Sequence, residues 1–529
     1  MRKGSYESGD INIHAGFAIS FYETLKDGNF IPRWNSDIIY GYGYPLFIFA
    51  YPLPYYLTAF FHFLGFSFIS SIKIILGLSF IASGITMFFF IKEELKNKYA
   101  AFAASIIYLF SPYHLVDLHF RVALGENISF AILPFCFFSI KRMFQKPTFA
   151  WTILSGVSLA LLILSHQAIS LTSFPFIIIY CLYLLMKKKN TKIKSLFSYI
   201  SFLAMGLSLS SFYWIPAIFE SKYINLLSHG NISFIGLNQL FYSPWKWGFL
   251  FQGPQGELSL MVGYAQWLII ILSIILFISN RISLKEKGIY SISIISFFAL
   301  LVMTQSISNP IWMNTSLLRG FQFSYRLLLC ISFFTSIIAG IVIKNFTQKW
   351  FLIGLCLITI SITFLNWGNR KTLPQLTDAA IQYEFPKSMA KVGQGTTIWV
   401  DSNKFESDKR MVPHIDILQG NASISETSRN STKHKYSISV LSKTAMFKEN
   451  TLYFPNWVVK VDNEIYPISF TDPMYPGVIT FSLNKGPHIV EVIFMDTSVR
   501  IFSMFLSGLT FLGILIYAFA SKKLNSPKI

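Results

Sequence analysis

The chain has 529 residues, of which 53% are hydrophobic and 13% charged, with a mean hydropathy of +0.50 and a formal net charge of +19. Globular domains carry about 25% charged residues, so this composition excludes an ordinary soluble protein and predicts a polytopic membrane protein. Residues 371–499 contain 13 basic and 13 acidic residues, which balance, so the positive excess lies in the rest of the chain. Basic residues between apolar runs are typical of loops retained in the cytoplasm. A nucleic-acid-binding protein would instead cluster them on one folded face, so no nucleic-acid partner is expected.

The first 66 residues contain a polar stretch followed by an aromatic run that prolines interrupt. Residues 44–64 are apolar enough to cross a membrane, which would place the N-terminus in the cytoplasm. Three prolines and four tyrosines between positions 44 and 57 favour instead a bent helix at the membrane interface. The residues alone support the two placements equally.

About 11 apolar runs follow, each near the length of a spanning helix. The loops between them alternate between basic clusters, such as Lys92–Lys98, and loops with few basic residues, such as 113–125. The positive-inside rule places the first kind in the cytoplasm and the second kind outside. The predicted spans are 67–91, 100–115, 126–140, 148–166, 168–186, 197–219, 259–279, 288–305, 326–343, 350–366 and 501–520.

The same alternation places residues 371–499 outside the membrane. Short β-branched and aromatic segments separated by Gly, Pro and Asn predict strands there, in an arrangement typical of a β-sandwich. The predicted strands are TTIWV, KYSISVL, WVVKVD, GVITFSL and HIVEVIF. All four cysteines lie inside apolar runs, so neither a disulfide framework nor a cysteine metal site is predicted.

Two stretches carry a resemblance to known proteins: GDINIH…LKDGNFIPRW…GYGYPLFIFAYPLPYYL near the N-terminus and SPYHLVDLHFRVALGENISFAILPF at 111–135. They resemble the 6-pyruvoyl-tetrahydropterin-synthase-related membrane protein family, which in turn resembles the GT-C class of membrane glycosyltransferases. Weaker matches extend the resemblance over most of the chain. It implies that the first loop is external and carries an acidic residue, Asp10. It also implies a spanning helix before that loop, which we expect this chain to lack.

Asp10 and His14 are four residues apart, which places both on one face of a helix. The spacing alone favours a solvated tail, because Asp-x-x-x-His is a weak motif. The resemblance reverses this interpretation for Asp10. It implies a catalytic carboxylate that accepts the proton of a sugar acceptor, or that anchors a divalent ion (Mg²⁺ or Mn²⁺) at the departing phosphate. His14 is retained as a substrate-binding candidate.

Asp117, Arg121 and Glu126 lie together at a predicted external helix junction. Ionisable groups beside a membrane helix are usually paired or functional. A structural Asp117–Arg121 ion pair is as well supported as a phosphate-binding role for Arg121, whose guanidinium group suits phosphate. Glu126 is the second catalytic carboxylate candidate.

His166, Glu220 and Arg326 complete the substrate-binding candidates, each at a predicted external helix end. A hydrogen-bonded structural role is the simpler interpretation of His166, and Glu220 is the expected type of residue at a water boundary. Arg326 suits a lipid phosphate and simple snorkelling to the headgroups equally well.

The sequence therefore predicts a mainly α, polytopic, GT-C-like membrane protein with one extracytoplasmic β-sandwich-like domain. The predicted divisions are an external loop (1–66), a multi-span domain (67–366), a β-rich domain (367–500) and a last helix with a cytoplasmic tail (501–529).

The predicted activity, which the resemblance implies, is transfer of a sugar from a polyprenyl-phosphate-linked donor. The expected acceptor is a glycan, lipid or protein at the outer face of the cytoplasmic (inner) membrane, whose lipids are the other expected partners. The alternatives are a carrier or flippase for lipid-linked glycans and an inactive GT-C-like scaffold.

Overall fold

The structure is a computed structural model that describes residues 4–188, 192–225, 232–315, 318, 321–346, 348–367, 370–388, 396–401 and 413–525. Its N-terminal segment contains β1 (Ser5–Tyr6), α1 (Ile11–Lys26), α2 (Leu46–Phe49) and α3 (Leu53–Phe63). Prolines stand immediately before α2 and α3 and interrupt the run. With 11 residues, α3 is about 16 Å long, too short for a hydrocarbon core of about 30 Å. Residues 44–64 therefore do not form one continuous spanning helix, and their placement at the membrane interface stays a prediction.

The helical part of the chain follows in order. Its helices are α4 (Phe68–Leu95), α5 (Lys98–Leu109), α6 (Pro112–Leu115), α7 (Leu124–Gln145), α8 (Phe149–Ser165), α9 (Gln167–Met186), α10 (Lys192–Leu209), α11 (Ser211–Phe219), α12 (Leu237–Phe241), α13 (Tyr264–Ile278), α14 (Leu284–Met303), α15 (Asn309–Asn314), α16 (Leu328–Asn345) and α17 (Lys349–Ser361).

Membrane-spanning potential is spread over the whole chain. Among the described residues, seven helices are long and apolar enough to cross a membrane, or up to nine if each of two bent pairs is one span. The bent pairs are 98–109 with 112–121, at 50°, and 193–209 with 211–219, at 71°. The shorter apolar helices α8 and α13 account for the remaining predicted runs. The predicted helical membrane domain is confirmed, and several of its spans are bent or short.

The C-terminal part contains β2 (Thr372–Leu373), α18 (Asp378–Ser388), a set of six strands and α19 (Ser498–Asn525). β2 pairs antiparallel with β1 and so holds the start of the chain. The six strands form one antiparallel sheet of order β3-β5-β8-β6-β7, with β4 also pairing β5. They are β3 (Ile415–Gln419), β4 (Ala422–Arg429), β5 (Lys433–Leu452), β6 (Trp457–Val461), β7 (Glu464–Tyr466) and β8 (Val478–Phe494).

Two strand predictions need correction. GVITFSL and HIVEVIF belong to the single strand β8, because Gly486 and Pro487 continue to pair with β5 and bend the strand without ending it. TTIWV at 396–400 is a turn whose backbone pairing is an isolated bridge from Thr397 to Ile224. Its β-branched residues are used to contact the loop after α11 instead of joining the sheet.

The sheet domain packs on the segment after α1. The carboxylate of Asp27 accepts hydrogen bonds from the backbone N–H (3.0 Å) and hydroxyl (2.7 Å) of Ser431. Trp34 packs edge-on against Trp457, with ring centroids 5.2 Å apart. Since α1 also packs against α3 and α4, the N-terminal segment is held between the membrane helices and the sheet.

The last helix is fastened by a buried ion pair. Glu220, at the end of α11, receives Arg500 of α19 through Nε at 3.0 and 3.1 Å and through Nη2 at 3.0 Å. Thr497 donates a further hydrogen bond of 2.7 Å to the same carboxylate. Arg500 is fully buried and Glu220 is 3% exposed.

We predict that Glu220→Ala destabilises the folded protein by about 3–5 kcal/mol, because it leaves a buried guanidinium group without its counter-charge. The measurement is thermal unfolding of the purified chain in one detergent. Glu23→Ala, which removes an exposed ion pair with Lys26, is the control and should change little. If both variants unfolded at the same temperature, the prediction would be contradicted.

Candidate functional site

A cavity of about 460 Å³ lies where α1, the α2–α3 segment and the first turns of α7 and α9 meet. Six of the predicted site residues line it: Asp10, His14, Arg121, Glu126, His166 and Arg326. Most of the remaining wall is apolar or aromatic and comes from the N-terminal segment: Ile13, Phe17, Ile38, Ile39, Tyr44, Leu46, Phe49, Ala50, Tyr51 and Tyr55. Residues scattered over more than 300 positions of sequence thus share one space.

Asp10 is placed by backbone hydrogen bonds. Its N–H donates to the carbonyl of Arg121 at 2.8 Å, and the N–H of Gly9 donates to Phe120 at 2.8 Å. A β-carbon at Gly9 would lie 3.3 Å from the Arg121 carbonyl oxygen, so a glycine suits this close approach. The Asp10 side chain precedes α1 without capping it. Within the described part of the chain its carboxylate has no hydrogen-bond partner.

The electrostatic surroundings of Asp10 increase its affinity for a proton. Burial raises the pKa of its carboxyl above the usual value, and the negative charge of Glu126 adds to this, while Arg121 and Arg326 oppose it. A partly buried carboxylate with a raised pKa and no partner is suited to accept a proton from a bound hydroxyl.

Behind Asp10 lies a buried ion cluster centred on Arg121. The guanidinium group binds the carboxylate of Asp117, reaches Glu126 at 3.1 Å through Nη2, and donates to the hydroxyl of Tyr113 at 2.9 Å. Tyr113 in turn donates to the second oxygen of Glu126 at 2.6 Å. Asp117 and Glu126 are fully buried. Both oxygens of Glu126 are therefore occupied by protein groups.

A strained turn holds this cluster in place. Residues 116–121 form a π-helical turn, and Val122 follows it in the left-handed region at φ 58° and ψ 45°. A β-branched residue there costs about 1–3 kcal/mol, and such strain concentrates at functional sites. The turn lets Arg121 point its carbonyl at Asp10 and its side chain at Glu126.

Arg326 is the less occupied of the two cavity arginines. Its Nε lies 3.4 Å from Glu126 Oε1, but this nitrogen has no hydrogen-bond partner among the described residues. The side chain is 15% exposed, compared with 9% for Arg121. Arg121 donates hydrogen bonds to three side chains, whereas the Arg326 guanidinium group makes none among the described residues. Of the cavity arginines that the structure describes, Arg326 is therefore the more available to an anionic ligand.

His14 and His166 have structural contacts. Nδ1 of His14 lies 3.1 Å from the hydroxyl of Tyr55, and Nε2 accepts a hydrogen bond of 3.5 Å from the N–H of Leu124. Burial, reinforced by Arg121, lowers the pKa of His14 to about 4, so the ring is neutral at pH 7. His166 caps α9 by accepting a hydrogen bond from the N–H of Ile169, and its ring packs at a tilt against Tyr51 with centroids 4.6 Å apart.

The family relationship is shown by a profile described as "6-pyruvoyl-tetrahydropterin synthase related domain; membrane protein", which matches residues 48–372. The chain belongs to this family of membrane proteins. A curated relative from Lactococcus lactis subsp. cremoris (strain MG1363), described as an uncharacterized protein, is 25% identical over 314 residues. The match covers 57% of this chain and half the length of that relative.

Two solved enzyme structures are similar to this chain. Arabinofuranosyltransferase AftD from Mycobacteria is 13% identical, with a TM-score of 0.44, over 74% of this chain and 26% of its own. The Archaeoglobus fulgidus oligosaccharyltransferase is 11% identical, with a TM-score of 0.38, over 72% of this chain and 53% of its own. Neither similarity assigns a role to a residue.

Two predicted site residues do not line the cavity. Asp117 lies behind Arg121, and its Oδ2 has no hydrogen-bond partner among the described residues. Glu220 forms the ion pair with Arg500 described above. Asp117 holds Arg121 within the π-helical turn, and Glu220 ties α11 to α19. The other six predicted site residues line the cavity.

The cavity residues do not fit a resident divalent cation. In the described part of the chain, no group of three or more His, Cys, Asp and Glu side chains is placed to hold a metal ion. Asp10 has a free carboxylate, but both oxygens of Glu126 are bonded and two guanidinium groups lie beside it. The role of Asp10 as a Mg²⁺ or Mn²⁺ ligand stays a prediction, and the mechanism proposed below uses no metal.

Tyr113, which joins Arg121 to Glu126, was not among the predicted site residues. The signal was present, because Tyr113, Asp117 and Arg121 are spaced at intervals of four, the period of one helix face. Asn225 and Thr396, which line the cavity from the segments after α11 and before β3, were not among them either. Nothing in their local sequence marks them.

We predict that Arg121→Gln destabilises the protein far more than Arg326→Gln. Removing Arg121 leaves two buried carboxylates without their main counter-charge, at a cost of about 3–5 kcal/mol, whereas Glu126 keeps Arg121 and Tyr113 when Arg326 is removed. Thermal unfolding followed by tryptophan fluorescence measures both variants. Equal losses would show that Arg326 is as structural as Arg121.

Proposed function

We propose that this protein transfers a sugar from a polyprenyl-phosphate-linked donor to a hydroxyl acceptor at the extracytoplasmic face of the cytoplasmic membrane. The observation that carries the proposal is the shared cavity of Asp10 and Arg326. It brings an unbonded carboxylate and an incompletely bonded guanidinium group to one apolar-walled space. A glycosyl phosphate needs both groups, one for the acceptor proton and one for the departing phosphate.

In the proposed reaction the acceptor oxygen forms a bond to the anomeric carbon while the bond from that carbon to the phosphate oxygen breaks. Asp10 accepts the proton of the acceptor hydroxyl, and the electron pair of the broken bond leaves with the polyprenyl phosphate. Arg326 balances the negative charge that accumulates on the phosphate, since guanidinium groups bind phosphate oxygens well.

The other cavity residues hold this geometry. The ion cluster of Arg121 and Glu126 fixes the turn whose carbonyl binds the Asp10 backbone. His14 is neutral and connects α1 to Tyr55 and Leu124. The aromatic wall from Tyr51 and Tyr55, whose rings are nearly parallel at 11°, is suited to contact a sugar ring or an isoprenoid chain.

The first test of this function is Asp10→Asn in proteoliposomes supplied with a panel of polyprenyl-phosphate sugars. We expect sugar transfer to fall by about 10²–10⁴-fold, because the amide cannot accept the proton. Glu7→Gln removes an exposed carboxylate three residues away and should keep full activity. Unchanged transfer by Asp10→Asn would contradict the proposal. If the unmodified chain shows no sugar transfer but translocates the lipid, and Asp10→Asn loses that translocation, the carrier alternative is favoured.

The pH dependence of the rate gives a second test. The base must be deprotonated, so activity is present at high pH and is lost as the pH falls through the pKa of Asp10. Because burial raises that pKa, the loss should occur above pH 3.8, the ordinary value for an aspartate. The rate of sugar transfer is measured against pH at saturating donor. A rate that does not decline until below this value would argue against Asp10 as the base.

A further inference from the structure

A second cavity, of about 450 Å³, lies at the other end of the helix pair α4 and α7. Glu126 of the candidate site is in the first turn of α7, whereas Phe138 of this second cavity is about 18 Å further along the same helix. Its lining is Phe89, Lys92, Glu93, Lys96, Lys98 and Phe138. This is a basic recess with an aromatic floor, and the proposed sugar transfer makes no use of it.

The lysines of this recess are not neutralised equally. Lys96 pairs with Glu93, and Arg142 of α7 binds the other oxygen of Glu93 at 3.2 Å. Lys92 and Lys98 are exposed and have no ion-pair partner in the described part of the chain. Two uncompensated positive charges thus remain at the mouth of the recess, where an anion would be favourable.

An exposed apolar stripe on α4 runs into the recess. Its residues recur at helical spacing on one face and are each about half exposed: Leu78 (53%), Ile81 (59%), Ile85 (51%) and Phe89 (47%). Lys92 and Lys96 continue the same spacing. From Leu78 to Phe89 the stripe is about 16 Å long, which is about half of a hydrocarbon core of 30 Å. The stripe is therefore about as long as the hydrocarbon region of one leaflet, so it matches the length of one acyl chain.

The partly exposed face of α7 forms the second wall. Phe135 and Phe138 lie side by side with ring centroids 6.5 Å apart, and Phe138 contacts Phe89 at 6.0 Å. The groove is apolar along its length and cationic at one end. That distribution is complementary to a phospholipid with a negatively charged headgroup.

We propose that this groove binds an anionic phospholipid in the leaflet opposite the candidate site. The phosphate lies at Lys92 and Lys98, and one acyl chain lies along the α4 stripe between Ile81 and Phe89. Lys96 stays with Glu93 and holds the connection between α4 and α5 in place. The site requires neither the polyprenyl donor nor the sugar-transfer activity.

The test uses the full-length chain purified in detergent and titrated with phosphatidylglycerol, phosphatidylcholine or inorganic phosphate. Bound lipids are counted by native mass spectrometry. The variant Lys92→Gln/Lys98→Gln should bind phosphatidylglycerol at least about tenfold more weakly, because each lysine near a headgroup contributes about 1 kcal/mol. Phosphatidylcholine should bind weakly and equally to both proteins.

The matched control is Lys285→Gln/Lys349→Gln, which removes the same charge from two exposed lysines that do not line the recess. It should bind phosphatidylglycerol like the unmodified chain. Phe89→Ala, which leaves every charge in place, should weaken phosphatidylglycerol binding by shortening the apolar stripe.

The proposal would be overturned by an equal loss in the control variant, by equal affinity of the unmodified chain for phosphatidylcholine and phosphatidylglycerol, or by no effect of Phe89→Ala. Displacement of phosphatidylglycerol by millimolar inorganic phosphate would also overturn it, because it would identify a soluble phosphate compound as the occupant.

Discussion

The candidate site depends on one interaction, the buried ion cluster in which Arg121 is held by Asp117, Glu126 and Tyr113. Charges this deeply buried require partners, because desolvation is costly when a charge is left uncompensated. The cluster therefore fixes the π-helical turn and the strained Val122 after it. The carbonyl of Arg121 then orients outward and binds the backbone of Asp10. A membrane-helix junction thereby positions a carboxylate from the first residues of the chain.

Because of this constraint, the two arginines have different roles. Arg121 donates hydrogen bonds to two carboxylates and a phenol, so it organises the site. Arg326 lines the same cavity, is close to Glu126, and makes no hydrogen bond among the described residues, so its guanidinium group can bind a phosphate. The proposed catalytic pair is thus Asp10 with Arg326, and Glu126 supports both arginines from behind, where its oxygens are already occupied.

Much of the membrane domain was predictable because apolar runs of about 20 residues report helices directly. The confirmed parts are the helical membrane domain, the family and the β-rich domain before the last helix, which was predicted as sandwich-like and whose described residues form one six-stranded sheet. The bends at 110–111 and 210 were not predicted, since tertiary packing decides them. The merger of two strands into β8 depends on the pairing of Gly486 with β5, which local turn signals cannot show.

For the site, the charged residues could be predicted from their positions at helix ends. Which arginine would be hydrogen-bonded to its neighbours could not be predicted, because that depends on Tyr113 and Asp117 packing behind Arg121.

The central claim is that Asp10 and Arg326 act on one phosphate-linked sugar in one cavity. The most direct measurement is a structure of the protein in lipid nanodiscs with a non-hydrolysable polyprenyl-phosphonate sugar bound. We expect phosphonate oxygens at Arg326 and the anomeric carbon facing the Asp10 carboxylate, with Arg121 still bonded to Asp117 and Glu126. A ligand bound away from this cavity, or with its phosphonate out of reach of Arg326, would contradict it.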